Sequence, residues 1–437
     1  MSWPTYSSYK PCEVPWLHEI PASWEVDKFR HCFRESNEKN GPTPTGEMLS
    51  ISGYRGVEIK EYDDDNRKRT VEEIEEYRVV RRGQLAVNTM WLNHAGLGVS
   101  SFEGHISPAY RSYWISHHLE PRFVHHLMRS SAYVDGYTAL LTGIRPNSLQ
   151  LSRDDLMSFP VLVPPRSDQL SIAGFLDRET AKIDALIDKQ EQLIATLRED
   201  RAATITQAVT KGLDSRGGIS SSGDQGPPSH WAQGVPLKRL AEVQTGLTLG
   251  RSVSPETAVT IPYLRVANVQ VGRVDLTEVT EVAIDRSEVA RYRLRAGDVL
   301  MTEGGDIDKL GRGCLWQGEI DPCLHQNHVF AVRCSENLDA RFLVYLLDTA
   351  PAREYFTLTA KKTTNLASTN STTLGRFSFP VPPIAEQKAI VRFLDERCSK
   401  IDALIGKSTE MIETLREYRS ALITNAVTGK IDVREGV

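Results

Sequence analysis

The sequence predicts an α+β fold: two mostly β domains with short helices, separated by two long helices that pair as an antiparallel coiled coil in a pseudo-two-fold internal repeat. Three observations predict it. Residues 163–210 align without a gap to residues 381–428, and 27 of the 48 positions are identical, which is duplication rather than shared helix composition. Within both copies apolar residues recur at threes and fours over a stretch longer than an ordinary globular helix. Each copy follows a long segment of short β-branched runs broken by Gly and Pro, as in "IPYLRVANVQVGRVDL", and the two segments share a plan but little identity.

Taken in order, residues 1–22 form an N-terminal extension and residues 23–165 the first β domain. Residues 166–212 form the first long helix, and residues 213–232 a flexible linker containing "LDSRGGISSSGDQGPPSH" (Leu213 to His230). The second β domain takes residues 233–383, the second long helix residues 384–428, and a tail the rest. Each repeat opens with "VPP", at Val163 and at Val381, which ends extended structure and puts prolines just ahead of a helix, where a missing N–H costs least. In the first copy Ile183, Leu186, Ile187, Gln190, Leu193, Ile194 and Leu197 follow the spacing of an a/d seam widened by one neighbouring position. Ile401, Leu404, Ile405, Ser408, Met411, Ile412 and Leu415 follow it in the second. Of these, Ile183, Leu186, Leu193, Leu197, Ile401, Leu404, Met411 and Leu415 are the expected scaffold contacts. A helix of about 40 residues is ~60 Å long. One apolar stripe of that length needs a partner, and the tethered second copy is the nearest one. Because the copies are near-equivalent, the self-consistent pairing is the intramolecular analogue of an isologous dimer.

The β domains align through "YRVVRRGQLAVNT" at Tyr77 and "YRLRAGDVLMTEG" at Tyr292, each a turn-forming basic stretch before a short apolar strand. "RFVHHLMRS" at Arg122 and "RFLVYLLDT" at Arg341 each have the apolar spacing of a short helix.

Composition bounds the function. A chain of 437 residues exceeds the size at which one core keeps growing, so two or more domains are expected. The formal charge of −5 gives no general attraction to nucleic acid, so any DNA binding must use local basic surfaces. No apolar run is long enough to cross a bilayer, and "MSWPTYSSYKPCEVPW" does not read as a signal peptide, so a cytoplasmic location is expected. Six cysteines without a CxxC pair read as free buried thiols.

Catalytic constellations fail one by one. No Walker A motif is present, and "EGGDIDKLGRG" (Glu303 to Gly313) lacks the pattern that cradles phosphates. As a calcium loop it has Leu310 where a third ligand is needed and Gln317 in place of the closing Glu. His117, His118, His125 and His126 lack zinc spacing, and Asp63, Asp64 and Asp65 read as a solvated turn beside "NRKRT". No GxSxG, NPP[YF] tetrapeptide or glycine-rich methyl-donor pocket appears, so no catalytic, metal or cofactor-binding residue is assigned. Basic and amide-bearing loops are the better candidates, since cations meet phosphates and Asn or Thr pair with base edges. In the first half these are Arg67, Lys68, Arg69, Asn88, Asn93 and His94. In the second they are Lys309, Arg312, Lys361, Lys362, Thr364 and Asn365.

The order of β domain, PP-x-x-[DE]-Q leading into an FLD-x(5)-ID-x-LI helix, second β domain and second such helix resembles the specificity subunits of type I restriction-modification systems. The match is carried by Pro164, Pro165, Asp168, Gln169, Phe175, Leu176, Asp177, Ile183, Asp184 and Leu186. In the second copy it is carried by Pro382, Pro383, Glu386, Gln387, Phe393, Leu394, Asp395, Ile401, Asp402 and Leu404. "GDVLMTEGGDIDKLGRGCLW" and "QNHVF" (Gln326 to Phe330) are similar to that family's target-recognition domains; the first domain departs, with Gln84 where the second has Asp298. The resemblance implies a non-catalytic subunit of a bacterial defence system, with two recognition domains that each read one half of a split, asymmetric site on double-stranded DNA. It implies two methyltransferase subunits supplying S-adenosylmethionine, and restriction or motor subunits supplying Mg-dependent ATP hydrolysis and cleavage. A paired-helix adaptor without DNA specificity, or a single-chain enzyme with a divergent site, are the rival readings.

Overall fold

The computed structural model describes residues 3–53, 55–62, 71–142, 150–214, 226–250, 253–305, 310–362 and 367–434. It is a mixed helix and strand fold that falls into two compact units. The first comprises Met1–Gln190 with Glu410–Val437, and the second Glu191–Thr409. Two long helices, Arg166–Lys211 and Ile384–Val427, each run through both.

The first unit is built on a four-stranded antiparallel sheet with strands ordered Phe33–Ser36, Arg111–Ile115, Leu85–Val87, Leu97–Val99. The second unit repeats the order with Ala241–Thr245, Val329–Cys334, Val299–Thr302 and Gly313–Leu315. Register repeats too: Leu85 lies between Val99 and Tyr113, as Val299 lies between Leu315 and Val332. Beside each sheet a hairpin strand pairs in parallel with a short strand that precedes the sheet's last strand. The pairs are Glu47–Ser52 with Gly104–Ile106, and Ala258–Leu264 with Leu324–His325.

The long helices pack together in both units. In the first, the Arg419 guanidinium donates to both oxygens of Asp184, from Nε at 2.9 Å and Nη2 at 3.3 Å. In the second, Arg201 Nε lies 3.2 Å from Asp402, and Arg397 donates to Asp200 at 3.2 Å. Asp402 and Arg419 are the residues 218 positions after Asp184 and Arg201, so one pair of sequence positions makes the same ion pair twice with the copies exchanged. Apolar burial follows the same arrangement. Ile205, Ala208 and Val209 share a core cluster with Ile390, Val391, Leu394 and Cys398, together with Trp231, Phe342 and Phe379 of the second unit.

The buried helix positions form a narrower stripe than the sequence spacing suggests. Ile183, Ile187, Ile194, Ile401 and Ile412 are buried, and Leu197 and Leu415 half-buried. Leu186, Leu193, Leu404 and Met411 instead remain 47%, 44%, 50% and 50% exposed. A two-helix contact covers a strict a/d stripe and leaves the adjoining apolar position on the rim. Cys32, Cys314, Cys323 and Cys398 are buried free thiols, and burial pushes the first three up to about 12. Among the described residues no helix is long and apolar enough to cross a membrane.

Candidate nucleic-acid interface

The repeated motif letters prove to be clamps that fix each β domain on its long helix. The buried Gln169 amide donates to the Pro164 and His118 carbonyls at 2.8 and 3.1 Å and accepts from the Glu120 N–H at 2.7 Å. Gln387 does the same, donating to Pro382 and Asn337 at 2.8 and 3.0 Å and accepting from the Asp339 N–H at 2.8 Å. The acidic residue before each glutamine receives a buried indole: Trp24 donates to Asp168 at 3.4 Å and Trp231 to Glu386 at 2.9 Å. Farther along, the FLD carboxylate clasps the short helix. Asp177 takes Arg122 and His126, both at 3.0 Å, and Asp395 takes Arg341 at 2.7 Å and the Tyr345 hydroxyl at 2.8 Å. The His126 hydrogen bond, with help from Arg122, holds the Asp177 carboxyl below its ordinary range, against the opposing effect of burial.

With the frames fixed, the loops at the sheet ends are where most of the described candidate side chains lie. In the second unit Val299–Thr302 and Val329–Cys334 deliver Glu303 and His328 side by side, where Glu303 Oε2 lies 2.6 Å from His328 Nδ1. Asn327 Nδ2 lies 3.5 Å from the other ring nitrogen. Two strands away, exposed Lys361 and Lys362 pair with Ala367–Ser368, which pairs with Gly304–Gly305. Arg312 is half-buried in a cavity of about 550 Å³ shared with Arg201, Arg273 and Arg341, and its Nε has no hydrogen-bond partner among the described residues. Lys309, Thr364 and Asn365 lie outside the described residues, as do Asp306 and Asp308.

In the first unit the corresponding loop, 88–96, is tied down by hydrogen bonds. Asn88 is buried and its Oδ1 accepts from the Met90 N–H at 3.2 Å, so this side chain shapes the loop from beneath. The Trp91 carbonyl accepts from both the His94 and Gly96 N–H groups, and Ala95 sits in the left-handed region at φ 53°. Gly96 is required, because a Cβ there would meet the Trp91 carbonyl oxygen at 2.6 Å. From below, the Arg129 guanidinium donates to the Ser52, Gly53, Ala95 and Leu97 carbonyls. Burial holds its pKa near 10. What this frame displays is Trp91, 55% exposed, with half-buried Asn93 and exposed His94. The Asn93 amide lies 3.1 Å from His94 Nε2, and the Trp91 and His94 rings are 5.3 Å apart. Trp91 escaped the sequence reading, although an aromatic inside "NTMWLNH" was its visible sign. Arg67, Lys68 and Arg69 lie outside the described residues, as do Asp63, Asp64 and Asp65, and nearby Arg81 is engaged by Glu38 and Glu103.

The four histidines do not converge on a metal. His125 is half-buried, with its pKa driven to about 3 chiefly by desolvation, and its Nδ1 accepts from the Val99 N–H at 3.3 Å. His126 is spent on Asp177 and His118 on Ser116. Among the described residues no cluster of His, Cys, Asp or Glu forms a metal site.

Residues 228–414 match the family model described as the type I restriction modification DNA specificity domain. The chain is 24% identical over 314 residues to the specificity subunit of the type I restriction enzyme EcoKI from Escherichia coli strain K12, covering 71% of this chain and 65% of that one. It spans between 44% and 66% of the length of the curated relatives it matches. Of the solved structures, the HsdS subunit from Thermoanaerobacter tengcongensis aligns with a TM-score of 0.52 at 17% identity, over 94% of this chain and 98% of that one. A chain from a type I R-M system, solved for its complex assembly and conformational transition, aligns with a TM-score of 0.64 at 17% identity, over 94% and 99%. Likeness at that identity speaks to the fold.

Proposed function

We propose, on the premise that residues 228–414 are a type I restriction-modification DNA specificity domain, that this chain is the sequence-recognition subunit of such a system. Residues 23–165 and 233–383 are then its two target-recognition domains, each reading one half of an asymmetric, bipartite site on double-stranded DNA. The single observation that carries the reading is the contrast within the repeat. Clamps at Gln169 and Gln387 are matched contact for contact, while the loops at the two sheet ends carry unrelated chemistry. A pure adaptor has no use for two rigid frames with dissimilar tips.

In this reading the chain does no chemistry. Methyltransferase subunits bring S-adenosylmethionine, motor-nuclease subunits bring Mg and ATP hydrolysis, and the duplicated helix offers two identical partners equivalent surfaces. Asn93, His94, Arg312, Lys361 and Lys362 are among the described candidates for DNA contact, the arginine and lysines toward phosphate. The exchanged Asp184–Arg419 and Asp402–Arg201 pairs support an isologous, antiparallel helix pairing. Major-groove faces recur about every 34 Å, so helices of this length can set the spacing between half-sites.

The test is the methylome of a host carrying the chain with its methyltransferase partner. Wild type should give one modified bipartite motif. Inserting one helical turn between Ile183 and Leu197 should change the spacer and leave both half-sites intact. An unchanged spacer, or altered half-sites, would refute the ruler.

A further inference from the structure

We propose that Asn327 reads one adenine in the half-site bound by the second unit, with His328 and Glu303 as the residues that position its amide. The inference rests on the recognition role above and names the residues that would perform it.

The cluster is built rather than incidental. The turn carrying it is held by main chain on both sides: the Gln326 N–H donates to the Leu264 carbonyl at 2.9 Å and the Asn327 N–H to the Leu247 carbonyl at 3.0 Å. Gly246 approaches so closely that a Cβ there would stand 2.0 Å from the His325 carbonyl oxygen. Glu303 is fixed likewise, its N–H donating to the His328 carbonyl at 2.8 Å and its carbonyl accepting from the Thr369 N–H at 2.7 Å. The His328 side chain nevertheless stays 54% exposed. An exposed carboxylate–imidazole pair contributes only about 0–1 kcal/mol to stability, so folding alone gives little reason for three strands to hold one.

Its chemistry selects a base edge. An ionised carboxylate only accepts, so in the neutral imidazole Nδ1 carries the proton toward Glu303 and Nε2 keeps its lone pair. That lone pair faces the Asn327 amine at 3.5 Å, and the amide's second N–H and its oxygen are left as a donor and an acceptor for a base. Adenine in the major groove presents an N6 amine that donates and an N7 that accepts, and an amide side chain meets both. Guanine presents two acceptors there and leaves the Asn327 amide oxygen without a donor. Lys361 and Lys362, on the adjoining small sheet, supply cations for the neighbouring phosphates.

The experiment uses the full chain assembled with its methyltransferase partner, assayed on oligonucleotide duplexes of the methylome-defined site. N327A should lose about 10-fold or more of its discrimination at one A·T pair, leaving the other half-site untouched. Placing 7-deazaadenine at that pair should penalise wild type and not N327A. E303Q should relax the same position by roughly 3-fold and add nothing in an H328A background, the outcome expected if Glu303 acts through the ring. The idea is overturned if the motif survives all three changes, if a G·C pair relaxes, or if both half-sites fade together with a lowered Tm. Absence of any bipartite motif in wild type would instead sink the recognition role itself.

Discussion

The two β units carry one backbone plan and two chemistries, and the boundary between sameness and difference is sharp. In both, the turn before the second sheet strand closes identically. The Arg81 N–H donates to Gln84 and the Arg295 N–H to Asp298, each at 2.8 Å, while the Gln84 and Asp298 carbonyls accept from the Ser100 and Trp316 N–H groups. Five residues later the resemblance ends. Sheet register puts Thr89 and Ala109 in the first unit where the second has Glu303 and His328. In the first unit an exposed tryptophan, an asparagine and a histidine occupy the tip instead. Side chains that satisfy buried backbone are constrained by it, whereas tip residues answer only to whatever they bind.

The largest expected effect breaks the sameness. Gln387→Ala removes the partner of two carbonyls and one N–H around a fully buried amide. At ~1–3 kcal/mol for each buried polar group left unsatisfied, the loss should be on the order of 4 kcal/mol. Gln169→Ala should cost the same to within about 1 kcal/mol, because its three contacts match. Urea denaturation measures both, and a mild effect at either position would show the clamps to be unequal.

The next sharpens the difference at Gln84 and Asp298. The two positions share the turn bond, but only Asp298 also receives the Arg333 guanidinium through two bonds of 2.9 and 2.8 Å, while the buried Gln84 Nε2 has no partner among the described residues. Asp298→Ala strands a guanidinium that is three-quarters buried and should cost about 3 kcal/mol or more. Gln84→Ala forfeits one neutral turn bond, about 1 kcal/mol. Equal losses would mean that Arg333 contributes nothing.

The duplicated helices were legible in the sequence because identity at a fixed offset and apolar spacing are local properties of the chain. Which apolar position faces inward was less so: Leu186 and Ile187 read alike, yet one is half-exposed and the other buried, and only the partner surface decides between them. Gln169 and Gln387 could be read as motif letters, but their partners are main-chain groups up to about 50 residues away, which have no residue-type signature. The same limit hid the Glu303–His328 pair, whose members lie 25 positions apart until strand register joins them. Asn88 has a base-reading side chain by type, and only burial reveals that it builds its loop.

The smallest effect separates the two clasps by acid. Asp177 is held by an imidazole and a guanidinium, whereas Asp395 meets a guanidinium and a phenol whose pKa burial raises further. Because the Asp177 carboxyl sits below its ordinary value when folded, the clasp contributes its full stabilisation above the unfolded value, near pH 4. It loses that contribution as the pH falls through the lower, folded value. Asp177→Asn removes the titrating group, so the variant should be less stable than wild type at pH 7 and should lose less stability than wild type as the pH is taken from 5 to 3. Since the Asp177 side chain is 40% exposed, solvent screening keeps the difference modest. Parallel acid limbs for the two proteins in denaturant titrations would place the acid sensitivity of the first unit elsewhere.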